Sequence, residues 1–120
     1  MTSKPWLRVV LFEPCPGRWR ARALEHDIEV EERSSEAALD ALLRIVFAHV
    51  GFDRRHGRPP LSAFSSAPAP FWQAFEAATL VRTVPTSEGS SGENRGSISV
   101  AIWSRPAPWS DQRQRQATLH

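Results

Sequence analysis

The chain has 120 residues, 41% of them hydrophobic, enough for one buried core and too few for two independent domains. Fourteen arginines and one lysine stand against thirteen acidic residues, and a formal charge of +2 so dispersed gives no argument for nucleic acid as the main partner. No apolar run approaches the roughly twenty residues that cross a bilayer, no signal-peptide core opens the chain, and the lone Cys15 has no disulfide partner; a cytoplasmic, reducing location is expected, with no membrane contact.

Residues Leu7 to Phe12 set Leu7, Val9 and Leu11 against Arg8, Val10 and Phe12, a run apolar enough for an inner strand. Glu13, Pro14, Cys15, Pro16 and Gly17 then turn the chain, since two prolines cannot donate to a ladder and a glycine tolerates positive φ. Arg18 to Leu24 alternates again, with Trp19, Ala21 and Ala23 on one face and Arg18, Arg20 and Arg22 on the other, the first expected to be core and the second wet. A short turn of Glu25, His26 and Asp27 leads to a third alternating run, Ile28 to Glu31, so the first three strands form an antiparallel meander.

Ser34 and Ser35 stand where hydroxyls accept from the orphan amides of a first helical turn, and Glu36 suits the positive end of the dipole. Leu39, Leu42, Leu43, Val46 and Val50 recur at helical spacing, Ala38, Ile45 and Phe47 widen the stripe, and Gly51 is the expected C-terminal cap. Pro59, Pro60, Pro68 and Pro70 forbid a continuous helix through the next stretch, yet Leu61 and Phe64 are spaced like anchors that hold it across the core. Pro70 opens a second, shorter helix carrying Phe71, Trp72 and Phe75 to about Ala78. Residues 85–96 have the composition of a flexible loop; Ser97 to Ser104 reads as a fourth strand for the sheet edge, with Ile98, Val100 and Ile102 facing one way; residues 105–120 read as a disordered tail. The expected fold is thus one α+β domain over residues 1–104. Its antiparallel sheet has three to four strands in β-β-β-α-α-β order, with the helices on one face.

The segment from Trp19 to Ile28, followed by Ser34, Ser35, Glu36, Ala37, Ala38 and Leu39, resembles the N-terminal domain of HicB-type antitoxins, over roughly residues 7–50. The resemblance implies a small α+β domain that self-associates, as a dimer, and blocks a small RNA-cleaving toxin of the HicA type without catalysis or cofactor of its own. Two departures stand out. The DNA-binding module that many members carry is not expected in residues 104–120, since only seventeen residues follow Trp103 and Pro106 and Pro108 interrupt them; the proline-rich and aromatic stretch 58–75 is also foreign to the pattern.

Several constellations invite chemistry. Glu25, His26 and Asp27 are adjacent, but neighbours in extended chain point apart, which favours a solvated turn over a metal or proton-transfer site. His49 and His56 suit the end of a helix. Arg18, Arg20 and Arg22 form a row that could meet an acidic partner or phosphates, or pair across the hairpin with Glu29 and Glu31. Phe71 and Trp72, with Phe75, form either a partner patch or core. No Gly-x-Ser-x-Gly elbow or phosphate-cradling loop is present, and an enzyme is the least supported class. A protein-binding domain with the sheet edge and arginine row as contacts leads; a nucleic-acid accessory using the arginine face, or a diverged domain of the same fold without either partner, are the alternatives.

Overall fold

In a computed structural model, which describes residues 5–85 and 97–103, the central strand buries the most side chains. Strand β1 (Leu7–Cys15) buries Leu7, Val9 and Leu11 on one side and Val10 and Phe12 on the other. A strand that hides both faces needs a layer above and a layer below. Around it lie β2 (Arg18–Ala23) and β3 (Ile28–Glu32) on one flank, and β5 (Ser97–Trp103) then β4 (Val81–Pro85) on the other, giving the order β3-β2-β1-β5-β4. The β1–β2–β3 meander is as expected, with Gly17 at φ +78 in the first turn and its N–H donating to Glu13 Oε2 at 2.9 Å.

Three features depart from expectation. The sheet is mixed, not antiparallel: β5 runs parallel to β1, pairing Leu7 with Ile98 through Phe12 with Trp103, and therefore sits inside the sheet instead of at its edge. The edge belongs to a fifth strand, β4, which the Val81, Arg82, Thr83, Val84 run does not announce because it lacks period-2 alternation, and which takes Pro85 as its last residue. The rest of the expected flexible loop, 86–96, and the expected tail, 105–120, lie outside the described residues.

The helices also part company. Helix α1 (Ser35–Arg55) covers one face, burying Ala38, Leu42, Val46 and Val50 on Leu7, Val9, Leu11, Ala21, Ala23, Ile98 and Val100. Helix α2 (Ala69–Ala77) covers the opposite face, where Phe71 meets Val10, Phe12 and Leu24, with Trp72, Phe75 and Trp103 at the margin. The period-2 alternation of β1 and β5 explains the division, since each strand sends alternate apolar side chains to each layer. Ser34 caps α1 as expected, its Oγ accepting the Ala37 N–H at 3.1 Å. Gly51, however, is an interior helical residue, and α1 runs on to Arg55, where the His56 N–H bonds to the Phe52 and Asp53 carbonyls.

The extension of α1 is tied to the proline-rich stretch. Asp53 is 7% exposed, and its Oδ2 accepts the Leu61 N–H at 2.8 Å while its carbonyl accepts the Arg58 N–H at 2.8 Å. Leu61 sits at φ +62, unusual for a leucine, with its side chain in the α1-side core. Beyond it, Phe64 packs edge-on to His49, and residues 65–67 clasp the β2–β3 turn, Asp27 N–H to Ser65 O at 2.7 Å and Ala67 N–H to Leu24 O at 2.8 Å. This stretch therefore carries the chain from one face of the sheet to the other and delivers α2 there.

Candidate protein-binding surfaces

The arginine row is a paired layer, partly roofed, and not an open wet face. Register sets Arg20 opposite Glu31 and Arg22 opposite Glu29, and the side chains follow: Arg20 Nε to Glu31 at 2.9 Å, Arg22 Nη1 to Glu29 at 3.2 Å. Arg22 also grips Asp27 with two bonds, 2.6 and 3.1 Å, and its guanidinium lies 4.1 Å from the centre of the Phe71 ring, leaving the side chain 16% exposed. Burial would lower the Arg22 pKa, but the Asp27 hydrogen bond and the charges of Glu29 and Asp27 outweigh it and raise it above the ordinary arginine value. Arg18 is looser, 66% exposed and 3.7 Å from Glu31.

Phe71 and Trp72 separate on inspection. Phe71 is buried between Arg22 and Phe12, so its ring serves the α2-side core. Trp72 is half-buried, donating from Nε1 to Ser66 Oγ at 3.0 Å with the Arg8 guanidinium 5.6 Å from its ring. Arg8 in turn gives its backbone N–H and Nη1 to Glu25 at 2.7 and 2.6 Å. Glu25 and Asp27 are thus committed to two different arginines, and no group of three potential metal ligands gathers among the described residues. His26 keeps a buried Nδ1 with no hydrogen-bond partner among them.

Surfaces that sequence periodicity did not single out are more open. On α1, Ile45 and Phe52 are 37% and 43% exposed, and with Ala48, His49 and Arg55 they line a shallow depression of about 490 Å³. Ile45 was expected to widen the inner stripe; instead it starts a second, outer one. Phe52 carries His56 stacked at 4.1 Å and Arg58 at 5.3 Å, and still keeps much of its ring in water. A second opening of about 310 Å³ lies between α1 and the β5–β4 half of the sheet, with Leu11, Leu39, Leu43 and Ile102 as floor and Glu36, Asp40 and Arg82 as rim. The third is the β4 edge, where Leu80 and Val81 are 56% and 48% exposed.

No helix among the described residues is long and apolar enough to cross a membrane. No protein-family model, curated protein or solved structure matches the chain.

Proposed function

We propose that this chain is a non-enzymatic protein-binding domain of the HicB-like antitoxin kind that seats its partner on the outer stripe of α1. The observation that carries the reading is the spacing of Ile45, Ala48, His49 and Phe52, positions i, i+3, i+4 and i+7 of one helical face, on a helix whose core-facing stripe is already filled by Ala38, Leu42, Val46 and Val50. A second apolar stripe has no place in the domain's own core, and a contiguous exposed one is the usual mark of a protein contact. The engagement of Arg20 and Arg22 by Glu31, Glu29 and Asp27 weighs against the arginine row as that contact and against the nucleic-acid alternative, because a neutralised row attracts phosphate weakly.

The finer identity of the partner, a small RNA-cleaving toxin of the HicA type, rests on the resemblance of residues 19–39. The test is growth rescue on co-expression with such a toxin encoded beside this chain, together with titration of the purified pair. Rescue and association are expected, and I45E/F52E is expected to weaken association about 100-fold or more, two buried anchors being lost. A pair that neither associates nor rescues overturns the toxin reading; undiminished binding by I45E/F52E overturns the α1 surface.

A further inference from the structure

We infer that the outer stripe of α1 seats an acidic amphipathic helix of a partner protein, whose apolar residues fill the depression over Ala48 and whose carboxylates meet Arg55 and Arg58. The inference rests on the α1 contact proposed above and adds the chemistry of what binds there.

Charge is distributed unevenly along this part of the chain. Residues 41–75 hold Arg44, Arg54, Arg55 and Arg58 but a single carboxylate, Asp53. That carboxylate is buried and spends an oxygen on the Leu61 N–H, which withdraws it from the surface. Arg44 is paired with Asp40 at 2.9 Å. Arg54, Arg55 and Arg58 are exposed, and none of the three makes an ion pair among the described residues. On the sheet, by contrast, Arg8, Arg20 and Arg22 each hold a carboxylate. The negative end of the helix dipole accounts for Arg54 and Arg55 in the last turn, but not for Arg58, which lies beyond the helix and returns over the Phe52 ring at 5.3 Å.

Geometry brings these cations to the apolar stripe. Arg55 lines the same depression as Ile45, Ala48, His49 and Phe52. Its Nη1 lies 3.5 Å from where a Cβ on Gly51 would stand, so the side chain folds back over a residue that has none. The small Ala48 between Ile45 and Phe52 lets a second helix come close. Helices that bind in this way use anchors at i, i+3, i+4 and i+7, and carboxylates flanking such anchors reach Arg55 and Arg58 with forked, charge-assisted hydrogen bonds at the margin of the apolar contact. A nucleic acid fits less well. Its bases need open aromatic faces, and the exposed ring of this stripe, Phe52, already carries His56 at 4.1 Å as well as Arg58.

Fluorescence anisotropy on the full chain tests this with three labelled probes: a helical peptide with leucines at i, i+3, i+4 and i+7 flanked by glutamates, its twin with lysines in place of the glutamates, and oligouridine. The acidic peptide is expected to bind about tenfold or more tighter than the basic twin at low salt, with the gap closing as salt rises. R55E/R58E, at exposed side chains, is expected to weaken the acidic peptide about tenfold or more and to turn the preference toward the basic twin. Should that variant lose its folded signal, R55Q/R58Q is read instead, with the preference expected to vanish. I45E/F52E is expected to release the acidic peptide. Equal binding of the two peptides, lost in I45E/F52E, overturns the acidic partner and leaves the α1 surface standing. A preference for the acidic peptide that survives in the folded arginine variant, binding of neither peptide, or oligouridine bound more tightly than the acidic peptide overturns the inference, while the titration with the toxin decides the α1 surface on its own.

Discussion

Arg22→Ala is expected to destabilise the fold by about 2–3 kcal/mol, several times the cost of Arg20→Ala. Both side chains stand in one row, and surface ion pairs as a class contribute about 0–1 kcal/mol. What separates them is surroundings. Arg20 is 29% exposed and meets a carboxylate that is 37% exposed, so water replaces most of what the substitution removes. Arg22 is 16% exposed and holds Asp27 through two bonds; charge-assisted contacts of that kind contribute about 1.5–3 kcal/mol net. Its seat 4.1 Å from the Phe71 ring adds about 0.5–1 kcal/mol, and the more exposed Glu29 contact adds a few tenths. Part of this is recovered as Asp27 rehydrates, which leaves the stated range. Urea unfolding at neutral pH measures it: with a slope of about 1–2 kcal/mol per molar, Arg22→Ala moves the midpoint by about 1–2 M and Arg20→Ala by a few tenths. Arg22→Lys, which keeps the charge but lacks the planar fork, should lose about half as much. Because the folded-state pKa of Arg22 is raised, its contribution is complete below the unfolded value and lost only as pH rises through the folded one, so the difference should be flat across the neutral range. Equal losses for Arg20→Ala and Arg22→Ala would refute the reasoning, returning the row to an open face.

Asp53→Ala should cost about 2–4 kcal/mol, because it strands the buried Leu61 N–H and releases a leucine held at φ +62; Asp53→Asn keeps an acceptor and should cost about half, both by urea unfolding. Losses of equal size would point to the charge of Asp53 instead of its hydrogen bond. Ser34→Ala removes the acceptor for the Ala37 N–H and should cost about 1 kcal/mol, read as the same midpoint shift, with Ser34→Asp restoring it.

How far the sequence alone reaches depends on the range of the interaction. The meander, the Ser34 cap and the Leu42, Val46, Val50 stripe are set by neighbours within a turn or a hairpin, and they are readable from residue spacing. The pairing of Arg20 with Glu31 and Arg22 with Glu29 was also readable as one of two options, because hairpin register fixes it. The apolar Val10 and Phe12 on the second face of β1 already demanded a second layer, yet nothing local says which segment supplies it. Asp53 shows why α1 outruns Gly51: a buried carboxylate looks like any helical aspartate until the Leu61 amide it holds, eight residues on, is placed.

Sequence by itself determined the elements other than β4 and the last turn of α1, with their two-faced alternation, because hydrogen bonding within a turn or hairpin and hydrophobic period are local quantities. Only the tertiary structure decided that β5 inserts parallel beside β1, that α2 crosses to the opposite face to roof Arg22, and that β4 ends the sheet order beyond β5. An alternating strand satisfies its side chains equally well beside any neighbour, so the choice falls to the layers that must be covered on both faces of β1 and to the tether from Asp53 through Ala67 that carries the chain around the sheet.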